Sequence, residues 1–374
     1  MIFKTKLMIV LLFMMMFTGQ SLSANDNFST EEFSFNSAGM KLNGIISRPI
    51  NNDATSIAII VHGYGSTNVV AGNWYYSLRK RFTDMGIAVL VWDKPGNGKS
   101  EGEFDINQPV DSSADEIVAA IKELKQNAEP GSSQIGLIGG SRAGWISPLA
   151  INKQPDIKFW ISISGTDGYE SWGYLLRSNL ELEDYSATDI KQIHQEWIDG
   201  NRIFNAGGSY EDYLIGTIMF RKNPLVQKLT GREYVAHTPG SEAYELAKQA
   251  YLDAQKEFMA EGHKFDPDTG LEIVIKDFDK VLNKVSIPVL ALFGSNDRHV
   301  DWRKTKALYE KTLGKRAPSL LTVKVFEGAD HSLKMSKTGG YFESHNQQYW
   351  QLPYAEGYYE TISEWLCNNN FCAR

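Results

Sequence analysis

The feature that most constrains this chain is a serine set between small residues directly after an apolar run. Residues 135–138 lead into Gly139-Gly140-Ser141-Arg142-Ala143, after which a helix is expected. A sharp turn from strand to helix holds its central residue in a strained conformation, so its neighbours must be small in order to pack closely. The pattern is the G-x-S-x-G elbow with alanine in place of the last glycine. It predicts that the Ser141 hydroxyl is presented as a nucleophile.

Two candidate partners for this serine follow later in the chain. Asp297 comes shortly after the apolar run 287–293, and His331 follows the strand-like run 321–326. The order serine, aspartate, histidine differs from the orders in chymotrypsin and subtilisin and suits an elbow of this kind. Asp330 is the alternative acid, but neighbouring side chains on an extended loop diverge, so Asp297 is preferred. With the serine, Asp297 and His331 form the predicted catalytic triad.

A loop suited to stabilising negative charge follows the first apolar strand. Residues 57–61 run into His-Gly-Tyr at 62–64, which resembles the HG-type oxyanion loop of lipases and esterases; an ordinary strand-end turn is the alternative. The backbone N–H groups of Tyr64 and Arg142 are predicted to point at a developing oxyanion, and each such donor stabilises a transition state by about 2.7–4 kcal/mol. The Arg142 side chain is expected in the cleft, where it is also a candidate contact for an acidic substrate group. Further candidate substrate contacts are His62, Gly63 and His299.

Taken together, these motifs resemble those of the α/β-hydrolase superfamily of esterases and lipases, over roughly residues 30–165 and 286–370. The turn at 93–100 is similar to the D-x-R-G-x-G-x-S turn after the family's fourth strand, with Pro95 where arginine is usual. The resemblance implies an acyl-enzyme on the serine and no cofactor. The same turn nearly imitates a phosphate-binding loop, but Asp93 stands where the leading glycine is needed, and its carboxylate would repel phosphate.

The apolar pattern predicts an α/β-hydrolase fold, with a mostly parallel central sheet, helices on both faces and a helical cap. A hairpin over 31–50 precedes apolar strands that alternate with amphipathic helices, and such alternation gives a sheet covered on both sides. Strands are expected at 57–61, 87–92, 135–140, 158–163, 287–293 and 321–326. Helices are expected at 72–85, 113–127, 142–152, 302–313 and 347–366.

About 120 residues separate the strand that ends near residue 165 from the one that starts at 287. A crossover helix needs far fewer, so the segment 166–285 is predicted to be an inserted helical cap. Helices opening at Ser186 and Ser241 are expected within it, each serine capping its helix. The resemblance implies that the cap covers the nucleophile, although most of its many aromatic rings should form its own core. The flanking core parts are 25–165 and 286–374.

The start of the chain has the pattern of a secretory signal peptide over residues 1–24. Lysines are followed by the apolar run 7–17 and then by small residues. Because that run is shorter than the ~20 residues that span a bilayer, cleavage is expected to leave an exported protein, periplasmic or extracellular, with no stable membrane insertion. In such an oxidising compartment, Cys367 and Cys372 are expected to form a small local disulfide.

Charge and composition narrow the classes of function. The net charge of −7 disfavours nucleic acid and anionic membranes as partners, and the scattered histidines argue against a metal cluster. The leading prediction is an exported serine hydrolase that cleaves carboxylic esters, with a small-molecule ester or a short peptide as substrate. A serine peptidase of the aminopeptidase type is the alternative, for which carboxylates of the cap would bind a free amino terminus. The candidates are Glu170, Glu181, Glu183, Asp184 and Glu196, although acidic residues on helices are usually exposed to solvent. A thioester hydrolase and a non-catalytic binding protein are weaker alternatives.

Overall fold

The computed structural model describes residues 28–50, 52–236, 238–315 and 318–373. The predicted signal peptide lies outside these residues. Within them, eight strands form one sheet in the order β1-β2-β4-β3-β5-β6-β7-β8, with β1 and β2 antiparallel to their neighbours and the remaining pairs parallel. The strands are β1 (Phe28–Ser37), β2 (Met40–Pro49), β3 (Ser56–Val61), β4 (Ile87–Trp92), β5 (Ile135–Gly140), β6 (Ile157–Ile163), β7 (Val289–Gly294) and β8 (Leu321–Phe326). The predicted mostly parallel sheet is confirmed.

The first two strands form the predicted hairpin. Ser37 pairs with Met40 across a two-residue turn, and both turn residues have positive φ, 50° at Ala38 and 80° at Gly39. Two left-handed residues in succession give a turn whose twist matches that of the flanking strands. The hairpin extends the sheet at the edge away from β7 and β8.

Helices cover both faces of the sheet, as predicted. They are α1 (Val69–Gly72), α2 (Tyr76–Asp84), α3 (Val110–Gln126), α4 (Ala143–Lys153), α11 (Phe278–Leu282), α12 (Trp302–Tyr309), α13 (Tyr341–Ser344) and α14 (Tyr358–Asn368). One face packs on α3, α4 and α12 around Trp160 and Phe293. The opposite face packs on α2 and α14 around Phe159 and Leu366. Because successive residues of a strand point to opposite faces, the neighbours Phe159 and Trp160 belong to different cores.

Besides α11, six helices of the described residues lie between β6 and β7, where the insertion was predicted. They are α5 (Trp172–Leu182), α6 (Ala187–Asn205), α7 (Tyr210–Gly216), α8 (Ile218–Lys222), α9 (Pro224–Thr230) and α10 (Glu242–Ala260). As expected, Ser186 and Ser241 cap α6 and α10, their hydroxyls accepting from the N–H groups of Asp189 (3.1 Å) and Tyr244 (3.2 Å). Trp172 and Trp197 pack together in the core of this insertion, so these rings do serve its own packing.

The bounds of the predicted helices shift by a few residues, and two helices differ more: one is divided and the other begins late. The helix expected over 72–85 is divided into α1 and α2 because Asn73 and Tyr75 have positive φ, 49° and 59°. The helix expected over 347–366 begins only at Tyr358, after Gly357 with φ 76°. A short 3-10 helix, Tyr349–Gln351, precedes it. Left-handed residues interrupt the helical hydrogen-bond pattern, which the hydrophobic periodicity alone does not reveal.

Two further findings concern the C-terminal disulfide and the length of the helices. Cys367 and Cys372 form a disulfide at the end of α14, with Cα atoms 4.9 Å apart. No helix within the described residues is both long and apolar enough to cross a membrane.

Candidate active site

The predicted nucleophile stands at a strained turn. Ser141 directly follows β5 and has φ 56°, in the left-handed region, which costs a non-glycine residue about 1–3 kcal/mol. Its backbone N–H donates to the carbonyl of Ile163 in the neighbouring strand β6 (3.0 Å). Such strain persists only where the surrounding structure enforces it, so the fold holds this serine at the carboxyl end of the central strand.

The small residues around the serine are required by close packing. A Cβ atom at Gly139 would lie 2.5 Å from the carbonyl oxygen of Val61 and 2.6 Å from Cβ of Ala143. One at Gly144 would lie 2.8 Å from the backbone nitrogen of Thr166. The alanine that replaces the last glycine of the elbow is therefore compatible with the turn because Gly139 opposite it has no side chain.

The predicted base and acid are hydrogen-bonded to each other. Nδ1 of His331 lies 2.8 Å from Oδ2 of Asp297, and the aspartate side chain is fully buried. The other carboxylate oxygen, Oδ1, accepts the N–H groups of His299 (2.8 Å) and Val300 (2.9 Å). Burial by itself raises the pKa of the Asp297 carboxyl, but the charge and hydrogen bond of His331 outweigh it, and the pKa lies below its ordinary value.

The charged aspartate in turn acts on the histidine. Burial by itself lowers the pKa of His331, whereas the charge and hydrogen bond of Asp297 raise it, and the net pKa lies above its ordinary value. Within the described residues, the Ser141 hydroxyl has no hydrogen-bond partner. Hydrogen bonds between nucleophile and base are often long in unliganded enzymes and shorten when substrate binds.

The alternative acid, Asp330, is engaged elsewhere. Its carboxylate accepts the hydroxyl of Tyr349 (2.9 Å) and the N–H groups of Ser332 (2.9 Å) and Lys334 (3.0 Å). These bonds fix the loop that carries His331. Asp330 therefore shapes the loop, and the acid that contacts the imidazole ring is Asp297.

The predicted oxyanion loop passes close to the serine. A Cβ atom at Gly63 would lie 3.9 Å from Cβ of Ser141 and 3.5 Å from the carbonyl oxygen of Gly140. The next residue, Tyr64, packs its ring edge-on against Trp145, with centroids 6.2 Å apart. Burial raises the pKa of the Tyr64 hydroxyl to about 12, so the ring stays neutral. The backbone of this loop therefore lies beside the predicted nucleophile.

Three side chains do not occupy the places expected for them. The guanidinium of Arg142 is not in the cleft but is buried, 3% exposed, donating to Ser113 Oγ (3.3 Å) and the Gln108 carbonyl. His62 bridges Tyr75 (3.2 Å) and the carbonyl of Trp92 (2.6 Å) with its two ring nitrogens. Neither ring nitrogen is left for a substrate, because both serve to tie β3 to its surroundings.

His299, the third expected substrate contact, is buried as well. Its Nε2 lies 3.3 Å from the Ser344 hydroxyl, and burial lowers the pKa of its imidazole to about 3. Its ring faces His331 and not the bulk solvent. Of the four expected substrate contacts, Gly63 is the one whose position beside the nucleophile agrees with the expectation.

The insertion contributes contacts to the acid loop that the sequence did not reveal. The hydroxyl of Tyr174 on α5 donates to the carbonyl of Asp297 (3.0 Å), and that of Ser178 donates to the carbonyl of Arg298 (2.7 Å). Both partners are backbone atoms, which carry no signal in the sequence. The one signal on the side of the donors is their spacing: Tyr174 and Ser178 are four residues apart and therefore lie on the same face of α5.

A cavity of about 310 Å³ lies between this helix and the core. Its walls include Tyr174 and Val300, both hydrogen-bonded to Asp297, so the cavity lies beside the acid loop. Neither Ser141 nor His331 lines it. Two buried oxygens of its lining have no hydrogen-bond partner within the described residues, Oγ1 of Thr166 and Oε1 of Glu170. Burial raises the pKa of Glu170 to about 8, and the nearby acids Glu272 and Asp167 add to this effect. In the described part of the chain, no group of His, Cys, Asp and Glu is arranged to hold a metal ion.

The candidate site lies in a stretch that matches a known family. The model of the X-Pro dipeptidyl-peptidase (S15) family matches residues 38–331, which is more than half of the chain and includes all three predicted catalytic residues. No curated protein sequence matches the chain.

Solved structures share the fold at low identity. An esterase from Pyrococcus furiosus is similar with a TM-score of 0.51 and 15% identity, over 91% of this chain and 90% of that chain. A proline iminopeptidase from Mycobacterium smegmatis is similar over 91% of this chain and 99% of that chain, with 14% identity and a TM-score of 0.47. At 15% identity the likeness to the esterase shows the α/β-hydrolase fold and nothing finer.

Proposed function

The chain belongs to the X-Pro dipeptidyl-peptidase (S15) family of α/β-hydrolases and is a serine hydrolase, and we propose that it cleaves carboxylic esters through an acyl-enzyme on Ser141. The observation that carries the proposal is the strained serine, φ 56°, at the edge of the sheet where the bonded pair Asp297 and His331 also lies. Export through the predicted signal peptide and the periplasmic or extracellular address remain part of the proposal.

In this reaction the imidazole of His331 takes the proton of the Ser141 hydroxyl as the oxygen attacks the ester carbonyl. Asp297 holds the ring by its Nδ1–H and stabilises the imidazolium that forms. The tetrahedral oxyanion accepts from the N–H groups of Tyr64 and Arg142. The imidazolium then protonates the leaving alcohol, and water releases the acid from the serine by the same sequence of steps.

The cavity beside the acid loop has a volume of about 310 Å³, at the lower end of the range of ligand pockets, ~300–1,000 Å³. Since Ser141 and His331 do not line it, we propose it only as the place of a small substrate group away from the ester bond.

A second candidate, an aminopeptidase-type activity, is favoured by one observation. Oε1 of Glu170 is buried in the cavity wall without a partner among the described residues. A buried polar oxygen of this kind costs free energy until a ligand donates to it. A free amino group of an aminoacyl substrate would donate there, and the family's description as dipeptidyl-peptidases agrees with such a substrate.

The test compares the two classes on one protein. The purified chain is assayed on p-nitrophenyl esters of increasing acyl length and on a panel of aminoacyl and dipeptidyl p-nitroanilides, beside Ser141→Ala. Ester turnover that disappears in Ser141→Ala is expected. Anilide cleavage without ester cleavage would transfer the assignment to the second candidate. Full activity of Ser141→Ala on both panels would overturn the proposed nucleophile.

Two further variants test whether the substrate must carry a free amino group, which separates the two candidate functions. Glu170→Gln removes a carboxyl group that a substrate ammonium would bring into its charged form, whereas Glu183→Gln changes an exposed carboxylate at the C-terminal end of α5. If the substrate carries an amino group, KM rises in Glu170→Gln alone. If simple esters are the substrates, both variants keep the KM of the native protein.

A further inference from the structure

A buried lysine lies directly behind the oxyanion loop. Lys94, in the turn after β4, is 8% exposed. Its Nζ donates to the carbonyl oxygens of Gly63 (2.6 Å) and Gly65 (2.8 Å). These two carbonyls flank Tyr64, whose N–H is the proposed oxyanion donor. The lysine therefore bonds the loop on both sides of the donating residue.

The carbonyl of Gly63 and the N–H of Tyr64 belong to the same peptide group. In a trans peptide the C=O and N–H bonds point in opposite directions, and the described backbone has no cis peptide bonds. When Nζ of Lys94 holds the oxygen on one side, the N–H of Tyr64 must point to the other. An ammonium on the oxygen also polarises the peptide group, which strengthens its N–H as a donor.

We propose that Lys94 is a positioning residue of the oxyanion hole, which aims and polarises the Tyr64 N–H through the carbonyl of Gly63. The inference rests on the proposed function, because it needs Tyr64 to act as an oxyanion donor. It adds a residue that contacts neither the substrate nor the reacting atoms. In the D-x-R-G-x-G-x-S turn that residues 93–100 resemble, arginine usually stands at the position of Pro95. Lys94 is the residue directly before that position.

The surroundings of the ammonium agree with this role. None of the described carboxylates lies within ion-pair distance of Nζ. Burial, together with the positive charge of Arg142, lowers the pKa of Lys94 to about 7, and the charge of Glu116 opposes this effect. A buried charge without an ion-pair partner is expensive, and here Nζ stays in contact with the two loop carbonyls, to which both the ammonium and the neutral amine can donate.

Other hydrogen bonds also attach the oxyanion loop to the turn that carries Lys94. Because of them, the Lys94 side chain can be changed without releasing the loop. The N–H of Lys94 donates to Thr67 Oγ1 (2.8 Å), and the N–H of Thr67 donates to Asn97 Oδ1 (2.6 Å). The carboxylate of Asp93 accepts the N–H of Val69 (2.6 Å). None of these bonds involves the ammonium.

The experiment uses Lys94→Met, which keeps the unbranched side chain as far as the position of Cε and removes the donors and the charge. Steady-state kinetics on the best p-nitrophenyl ester are measured together with the inhibition constant of an alkylboronic acid, whose serine adduct is tetrahedral and anionic. We expect kcat to fall about ten- to one-hundredfold, the boronic acid to bind more weakly by a similar factor, and KM to change less than twofold. Lys99→Met is the control, since Lys99 belongs to the same turn but is exposed and paired with Glu32 (2.6 Å).

An unchanged kcat and boronic acid affinity in folded Lys94→Met would overturn the inference, as would an equal loss in Lys99→Met. If circular dichroism shows that Lys94→Met is unfolded, Lys94→Gln takes its place, with the same direction of change expected and the same result overturning it. Failure of the proposed function is recognised separately. In that case Ser141→Ala keeps its activity, whatever Lys94→Met does.

Discussion

The imidazole rings of His299 and His331 are stacked, with centroids 5.1 Å apart and planes inclined by 18°. The backbone N–H of His299 also donates to the Asp297 carboxylate (2.8 Å). One residue thus contacts both the proposed acid and the proposed base. Since burial lowers the pKa of the His299 ring to about 3, that ring is neutral at ordinary pH and adds no charge beside the base.

His299→Ala is expected to lower kcat about three- to tenfold, which corresponds to the ~0.5–1.5 kcal/mol of a stacked ring pair. The alanine keeps the backbone N–H bond to Asp297 but leaves one face of the His331 ring without support. His299→Phe keeps a flat ring and should recover most of the activity. Steady-state kinetics on a p-nitrophenyl ester check both variants, and an alanine variant as active as the phenylalanine variant would contradict the role of stacking.

The activity should depend on pH through His331. A general base works only when deprotonated, so kcat/KM falls as pH decreases through the pKa of this group. Because Asp297 raises that pKa above its ordinary value of ~6.5, the midpoint of the acid limb is expected above pH ~6.5. Profiles of kcat/KM from pH 5 to 9 measure it.

Asp297→Asn should lower kcat by about 10⁴ and move the acid limb to lower pH, because the charge that favours the imidazolium is gone. Asp330→Asn serves as the comparison, since Asp330 is near His331 but bonds Tyr349 (2.9 Å). Its effect on the midpoint should have the same sign and be smaller. A midpoint that stays in place in Asp297→Asn would show that the acid does not act on His331.

Gly139→Ala is expected to destabilise the protein by about 1–3 kcal/mol. The added methyl group would lie 2.5 Å from the Val61 carbonyl oxygen and 2.6 Å from Ala143. Gly314→Ala is the matched control, because its methyl group would meet only Leu321 at an ordinary 3.6 Å. Urea denaturation compares the two, and equal free energies of unfolding would contradict the close packing described at the elbow.

Removing the disulfide should have a modest effect. The bond closes a loop of only five residues' separation, so its contribution is expected to be below the ~3 kcal/mol of a 15-residue loop. The end of the chain has other anchors, including the Ser56 hydroxyl, which donates to the carbonyl of Phe371 (2.6 Å). Cys367→Ser/Cys372→Ser should therefore unfold at slightly lower urea with unchanged kcat. A loss of ester turnover in the folded double variant would show a link to the site.

The features that could be predicted from the sequence are those encoded by neighbours in the chain. The hairpin follows from alternation and the pair Ala38-Gly39, and the parallel strands follow from short apolar runs between amphipathic helices. The elbow at Ser141 is likewise a local motif, since its small residues serve a single turn. The start of α14 was misplaced because Gly357 interrupts a periodic pattern.

The side-chain roles that sequence reasoning missed depend on loops from different strands meeting in space. Lys94 reaches the loop after β3 from the turn after β4, and its partners are carbonyl oxygens, which every residue has. His299 was expected to contact substrate because it follows the acid, yet its ring is turned toward a histidine of another loop. No pattern within either segment encodes such an approach.

The bonds from Tyr174 and Ser178 to the acid loop bear on how this protein can be recombined with its relatives. A chimaera that exchanges everything between β6 and β7 would replace α5 and remove both hydroxyl bonds to the backbone of Asp297 and Arg298. A crossover placed after Leu182 would keep that helix with the recipient and exchange only the helices from α6 to α10. For the purposes of grafting, α5 belongs with the catalytic half of the molecule, and the exchangeable module begins at α6.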